Sequence, residues 1–256
     1  MDSRYIKLME KIQEVGNRNL NYFGQALTYD IKSNVSDVRS KADIEADKQI
    51  VNFLREIFPE YSIYSEEQGE FNNNSEYRFI VDPLDGTNNF SIGIPVFTCS
   101  VALVKDDQIV FGVIYNPVTK NMYHAIKNQG AYKNHLQIKV NDNSEITSST
   151  IAYTVGYSYP RMESLDRISK FTNLNCKRLT TFWSPANDYC LLASGRIEAI
   201  VNEKNDIYDY AAGKLIAMEA GAKITNLNGL PDTTASNSSF VASNATNIHD
   251  DILNVI

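Results

Sequence analysis

Alternating layers of helix and sheet, an α/β (α+β) sandwich, are the architecture to which three features of this sequence point. Two amphipathic helical stretches precede residue 60. A series of β-rich runs separated by turn residues occupies residues 77–126. Helical and strand-like segments then alternate through the second half.

The first helix is read over Tyr5 to Leu27, where Ile6, Leu8, Met9, Ile12, Val15, Leu20 and Phe23 recur at helical spacing. Asp43 to Phe58 reads as the second, with Asp43 as N-cap, Ile50, Val51, Phe53, Leu54 and Ile57 on its apolar side, and Pro59 at its end. Tyr77 to Val81 forms a strand that stops at Asp82-Pro83. Val96 to Val104, Ile109 to Tyr115 and Asn121 to Ile126 follow as an antiparallel meander, because Lys105-Asp106-Asp107 and Asn116-Pro117 between them are turn material. In the second half, Thr150 to Val155 is a strand, Met162 to Phe171 a helix, and Ala186 to Ala193 a helix closed by Ser194-Gly195. Strand Glu198 to Val201, helix Tyr210 to Ala220, short strands at Lys223 to Thr225 and Ser239 to Val241, and a last helix complete the chain. The polar stretch Asn141 to Glu145 suggests two halves, 1–145 and 146–256.

Composition narrows the function. The 256 residues are 43% hydrophobic and 21% charged, which suits one large globular unit. A net charge of -7 disfavours the coating of a nucleic-acid polymer, which takes clustered Lys and Arg. It leaves open another route to phosphate, in which acidic side chains hold cations that hold the anion. No membrane span and no signal peptide are visible, so a cytoplasmic protein is expected. Cys99, Cys176 and Cys190 are far apart and read as reduced thiols. His124, His135 and His249 are isolated, which gives a histidine metal site or a Ser-His-Asp triad little to build on.

The most informative stretch is Val81-Asp82-Pro83-Leu84-Asp85-Gly86-Thr87-Asn88-Asn89-Phe90. Asp85 follows Asp82 by three residues, so both carboxylates can turn to one point, beside a Leu84 carbonyl outside any strand ladder. Oxygen ligands of this kind suit a hard cation such as Mg²⁺. Gly86-Thr87-Asn88 offers backbone N–H groups at a short helix start, an anion site. Asp-Pro and Asp-Gly alone are ordinary turn residues, but the whole string closely resembles the signature of the inositol monophosphatase family of Mg²⁺-dependent, lithium-sensitive phosphatases. Three further blocks agree in order. Ser65-Glu66-Glu67 stands where the family has a Glu-Glu pair, Glu66 lying sixteen residues before Asp82. Tyr208-Asp209-Tyr210-Ala211-Ala212-Gly213 resembles its C-terminal signature of Trp-Asp and small residues. Lys32 and Asp43 are eleven apart, as are the family's lysine and helix-opening acid.

The resemblance implies a layered αβαβα sandwich of the inositol monophosphatase and fructose-bisphosphatase type, a site between the two halves, and a homodimer. It implies two or three Mg²⁺ ions held by Glu66, Asp82, the Leu84 carbonyl, Asp85 and Asp209. Glu66, Asp43 and Thr87 would be catalytic, the proton of the attacking water leaving through Thr87 and Asp43. Asp85, Gly86, Thr87, Pro185, Asn202 and Asp209 would meet the substrate. Asp43, Glu66, Asp82, Asp85 and Asp209 account for five of the 31 acidic residues, so the chain's negative excess gathers in one place.

Three positions depart from the family. Tyr208 replaces the tryptophan before the metal aspartate. Trp183-Ser184-Pro185-Ala186 replaces the usual Gly-Ser-Ala-Ala that borders the substrate pocket, leaving Trp183 as either a core aromatic or a pocket wall. Asn202, seven residues before Asp209, replaces a glutamate that accepts from inositol hydroxyls. The substrate is therefore expected to be a small phosphorylated metabolite, inositol monophosphate-like, with fructose 1,6-bisphosphate or the 2′-phosphate of NADP(H) as alternatives. A phospholigand-binding protein without catalysis is the reading from another class. Tyr153, Tyr157, Tyr159 and Tyr189 are expected at core edges rather than in the cleft.

Overall fold

A computed structural model describes residues 2–25, 29–32 and 38–256. In chain order the elements are α1 (Ser3–Tyr22), β1 (Tyr29–Ile31), β2 (Val38–Ser40), α2 (Lys41–Ile57), β3 (Ser62–Ser65), β4 (Gly69–Phe71), β5 (Tyr77–Asp85) and α3 (Thr87–Ile92). Then come β6 (Thr98–Lys105), β7 (Gln108–Asn116), β8 (Asn121–Ile126), β9 (Ala131–Lys133), β10 (Leu136–Ile138), β11 (Thr150–Val155), α4 (Arg161–Thr172) and β12 (Arg178–Thr180). The chain ends with α5 (Pro185–Ala193), β13 (Ala199–Glu203), α6 (Ile207–Glu219), β14 (Lys223–Asn226), β15 (Ser239–Ser243) and α7 (Ile248–Leu253).

Eight strands form the larger sheet in the order β10-β9-β8-β7-β6-β5-β3-β4, with β3–β5 its one parallel pair. Five strands form the smaller one in the order β12-β11-β13-β15-β14. Alternation along each strand sends side chains to opposite faces. Phe79, Val81, Val101 and Leu103 meet Leu8, Ile12, Ile50 and Leu54 of α1 and α2, whereas Ile80, Ala102 and Ile114 meet Cys190, Ala211, Leu215 and Ile216 of α5 and α6. The other side of α5 and α6 (Tyr189, Leu192, Tyr210, Ala217) covers Ala152, Ile200 and Ala242 of the smaller sheet. Ile151, Val201 and Val241 on its far face pack on Phe171 of α4 and Ile248 and Ile252 of α7. The stack is therefore αβαβα, as expected.

The middle layer explains its own composition. A helix between two sheets is buried all round, and Tyr210 to Ala217 of α6 are buried without interruption, the charged Lys214 among them donating to Asp232 at 2.8 Å. Gly213 lets α5 come close: a Cβ there would lie 2.5 Å from Tyr189.

Several boundaries differ from the sequence reading. The first helix ends at Tyr22, and the expected extension to Leu27 runs into residues 26 and 27, outside the described ones. Asp43 is not the N-cap of α2. Ser40 is, and Asp43 is its partner in a capping box, bonding back to the Ser40 N–H. Strand β5 does not stop at Asp82-Pro83 but runs to Asp85 through an irregularity where the register to β6 shifts. Helix α6 begins at Ile207, three residues before Tyr210, capped by Asp206. β3, β4, β9, β10 and β12 are three or four residues long and were not legible as strands. All three cysteines are free. No described helix is long and apolar enough to cross a membrane.

Candidate metal centre and active site

The register shift in β5 builds the site. Asp82 still pairs with Ser100 and Asp85 with Thr98, and the extra backbone between them bulges out of the ladder. Within the bulge, the Leu84 N–H donates to Asp82 Oδ1 at 3.0 Å, and Asn19 of α1 donates to the Pro83 carbonyl at 3.3 Å. Asp209 arrives in the first turn of α6, where its Oδ2 accepts from the Asp206 N–H at 3.0 Å. Ligand oxygens of Asp82, Asp85 and Asp209 consequently lie within 4.8 Å of one another.

Asp85 faces two ways. Its Oδ2 accepts from the Thr98 hydroxyl at 3.0 Å and from the Ser184 hydroxyl, and the nearby Ala186 and Asn187 N–H groups at the start of α5 favour its charged form. Its Oδ1 is buried and without a hydrogen-bond partner. A buried, unmatched carboxylate oxygen beside two other carboxylates fits a hard divalent cation, which takes oxygen ligands and relieves their repulsion. The titration behaviour agrees. Burial lifts Asp85 to about 6 despite its donors. Burial and the neighbouring charges of Glu66 and Asp85 hold both Asp82 and Asp209 well above the ordinary carboxylate range.

Glu66 lies beside this group. Its N–H bonds the Val81 carbonyl at 3.1 Å, and burial pushes its carboxyl to about 7 against the attraction of Lys32. The Lys32 ammonium, at 2.7 Å from Glu66 and also bonded to Glu67, is the cation nearest that pair. The turn carrying both glutamates is anchored to α2 by Asp47, which accepts from the Ser65 hydroxyl and from Gln68 at 2.7 Å. One turn earlier, Asp43 accepts from the Ser40 N–H at 2.6 Å and from the Thr87 hydroxyl at 2.8 Å. Thr87 Oγ1 also lies 2.9 Å from the Leu84 carbonyl oxygen. Asp43 is fully buried, and burial raises its carboxyl. Helix α2 thus aligns the Thr87 and Glu66 sides of the site from consecutive turns.

Gly86 joins these parts. It sits at φ 90°, and a Cβ there would lie 2.8 Å from the Val96 carbonyl oxygen and 3.1 Å from Ser184 Cβ. Only glycine takes that conformation without strain, so the close packing of α3 on the α5 entrance depends on it.

The substrate-side expectations fare unevenly. Pro185 is the first residue of α5, next to the Ser184 that bonds Asp85. Asn202 is a correction. It is fully buried in β13, its Oδ1 accepts from Tyr189 and Asn205 at 3.1 and 2.9 Å, and its amide donates to the Ser238 carbonyl at 2.9 Å. Those bonds satisfy the side chain inside the protein, so it presents nothing to a cleft. Trp183 is not a core aromatic: it is 58% exposed, with φ 54°. Tyr153 and Tyr189 are core residues as expected, but Tyr157 is half exposed and accepts from Asn88 at 2.8 Å. Burial and the charge of Asp209 raise its phenol. Sequence reasoning missed Ser40, Asp47, Thr98 and Ser184 as supports. The Ser40-x-x-Asp43 spacing was a legible signal for the first; the others are brought in only by tertiary packing.

Comparison with known proteins agrees with this geometry. The inositol monophosphatase family model matches residues 1–256. A fructose-1,6-bisphosphatase/inositol-1-monophosphatase of Thermotoga maritima is 30% identical over 251 residues, covering 98% of this chain and 93% of that protein. An inositol-1-monophosphatase of Bacillus subtilis is 29% identical over 235 residues, covering 91% and 89%. Among solved structures, the extragenic suppressor protein suhB of Bartonella henselae superposes with a TM-score of 0.89 at 30% identity, covering 98% of this chain and 97% of that one. The Thermotoga maritima IMPase gives 0.88 at 28% identity, covering 100% and 96%. The chain belongs to the inositol monophosphatase family of phosphatases.

Proposed function

We propose that this phosphatase is Mg²⁺-dependent and hydrolyses a small phosphomonoester at the carboxylate cluster. The observation that carries the proposal is the convergence of Asp82, Asp85 and Asp209 with Asp85 Oδ1 buried and unmatched. Glu66, Asp82, the Leu84 carbonyl, Asp85 and Asp209 would hold two or three ions. When bound, these would neutralise phosphoryl charge and make water a better nucleophile at neutral pH.

The rest falls to the chain. Thr87 and Asp43 form a proton path: Thr87 Oγ1 takes a proton from the attacking water as it passes its own to Asp43 Oδ1, 2.8 Å away. Burial of Asp43 raises its proton affinity, which suits the accepting role. The N–H groups of Gly86 and Thr87, at the open start of α3, bind phosphoryl oxygens. Asp209, from the second of the two halves (1–145 and 146–256), completes a ligand set otherwise drawn from the first.

Both the fructose-1,6-bisphosphatase and the inositol-1-monophosphatase names among the relatives are compatible with such a site. A phosphate-release screen over inositol 1-phosphate, fructose 1,6-bisphosphate and NADP⁺ distinguishes them. Release from none of these with Mg²⁺ would favour the reading as a binding protein. Lithium is expected to inhibit. A homodimer is proposed on the exposed apolar residues Ile92, Ile94 and Phe182, near one another through the Asn89 bonds to the Val96 and Phe182 carbonyls. Size-exclusion chromatography with light scattering tests it. A cytoplasmic setting and the lack of a nucleic-acid polymer partner complete the reading.

A further inference from the structure

His124 and His135 are isolated in the sequence, eleven residues apart, but the fold brings both to one cavity. Across the larger sheet the register sets Val81, Val101, Val113, His124, Tyr132 and Gln137 in a single transverse row. Residues paired in this way share one face of the sheet. The three valines lie under α1 and α2. On β8 that cover thins: Met122 and Ile126, on either side of His124 along the same face, are only partly buried. Here His124, Ile126, Gln129, Gly130, Tyr132 and His135 line a cavity of about 300 Å³. His124 is three strands from Val81, roughly 14 Å at ordinary strand spacing, so the cavity is separate from the carboxylate cluster.

The His124 ring stacks on Tyr132, its cross-strand partner, with centroids 5.4 Å apart and planes at 16°. Its Nδ1 is buried and without a hydrogen-bond partner, which leaves Nε2 as the ring nitrogen able to meet a ligand. Burial and the nearby His135 lower its basicity, so the imidazole stays neutral at neutral pH and keeps a lone pair. Among the described residues no hydrogen bond engages the His135 or Gln129 side chain either. The two turns that carry them are nevertheless held in place. Glu219, at the end of α6, accepts from the Asn128 and Gly130 N–H groups at 2.7 and 2.8 Å. Asn134 accepts from the Met122 N–H at 2.9 Å, and its left-handed φ of 55° turns the chain into β10. Two imidazoles and an amide, on a fixed frame that offers them no internal partner, are preorganised for an external one.

We propose that His124 and His135 form a second metal site, which binds a borderline divalent transition metal of the Zn²⁺ type. Neutral imidazole suits such ions, whereas Mg²⁺ takes oxygen ligands. This pair therefore sorts cations in the opposite sense to the carboxylate cluster. Gln129 would add its amide oxygen, and water the remaining position. An ion held this way ties β8 to the β9–β10 turn and so fastens the end of the sheet, where β10 is the edge strand. It takes no part in phosphate hydrolysis, and the site does not depend on that reading.

The chain has three histidines, so NMR of ¹⁵N-labelled imidazoles can follow each one. Zn²⁺ is titrated into the full chain in excess Mg²⁺, which occupies the carboxylate cluster first. One saturable event should move a ring nitrogen of His124 and one of His135 together. His249, enclosed between the hydroxyls of Thr225 and Ser243, should stay unmoved, and Mg²⁺ alone should move none of the three. His135→Gln changes an exposed turn residue and leaves the core intact. It should weaken the zinc event about a hundredfold, because a single imidazole binds without the gain from linked donors. His124→Gln should do the same, and phosphate release with Mg²⁺ should be unchanged in His135→Gln. Movement of His135 without His124, or a zinc affinity unaltered in His135→Gln, overturns the proposal. So does loss of Mg²⁺-dependent phosphate release in His135→Gln, which would make the pair part of the reaction centre.

Discussion

Replacing Glu66 by glutamine should stabilise the metal-free protein while removing its metal-dependent activity. Burial, acting against the attraction of Lys32, lifts the Glu66 carboxyl from an ordinary 4.5 to about 7. Above pH 7 the folded chain carries that charge in an unfavourable place. At about 1.4 kcal/mol per pH unit, the cost is about 3 kcal/mol. Below pH 4.5 the group is protonated in both the folded and unfolded states, and the cost vanishes. Stability from this group is thus present at low pH and lost as pH rises towards 7. In urea unfolding with EDTA, Glu66→Gln should gain about 3 kcal/mol over the wild type at pH 8, or on the order of 5–10 °C in Tm, and almost nothing at pH 4.5. Mg²⁺ at a thousandfold its Kd should reverse the order, since it adds about 4.1 kcal/mol to whichever protein binds it. A Glu66→Gln protein no more stable than wild type at pH 8, or equally stabilised at both pH values, would refute the reasoning.

Other parts of the structure yield further expectations. Gly86→Ala places a Cβ 2.8 Å from the Val96 carbonyl oxygen at φ 90°, so strain and overpacking together should cost about 2–5 kcal/mol in denaturant and lower turnover about a hundredfold. Asn202→Glu should destabilise by about 3–5 kcal/mol in urea, because it buries a charge among Tyr189, Asn205 and Ser238; a stable variant with altered substrate preference would show that Asn202 faces the cleft. His249, between the hydroxyls of Thr225 and Ser243, is pushed down to about 4 by burial. Unfolded chains take up that proton below about pH 6.5 and the folded one does not, so His249 should draw up to about 3 kcal/mol from stability as pH falls from 6.5 to 4. His249→Asn, compared across that range by urea unfolding, should flatten this part of the profile.

Much of the layering was legible because strand and helix periods differ and the longer segments carry many periods. The meander β6–β8 and the helices α5 and α6 lie close to their expected places. Three-residue strands such as β9 and β12 contain too few side chains to show a period and exist through pairing with a neighbour. Pro83 illustrates a finer limit. A proline does interrupt the ladder, as the sequence rule says, but the chain stays extended and rejoins β6 at Asp85. That interruption is what turns Asp82 and Asp85 together. The residues that set the site's charge were readable from local strings; those that aim them were less so. Ser184 reaches Asp85 from 99 positions away and Asp47 reaches Ser65 from 18, contacts no local pattern encodes. Asn202 failed for a related reason: its position relative to Asp209 is fixed by sequence, but that both faces of β13 are covered, with Tyr189 and Asn205 closing over Asn202, is fixed by packing.

The Asp82, Asp85 and Asp209 cluster is proposed to work by holding Mg²⁺. Phosphate release from inositol 1-phosphate and adenosine 2′-monophosphate, titrated with Mg²⁺ for wild type, Asp82→Asn and Asp209→Asn, tests it most directly. Saturable activation of the wild type on at least one ester, and a loss of roughly a hundredfold or more in both variants, are expected. Full activity of either variant, or equal wild-type activity in EDTA, would contradict it.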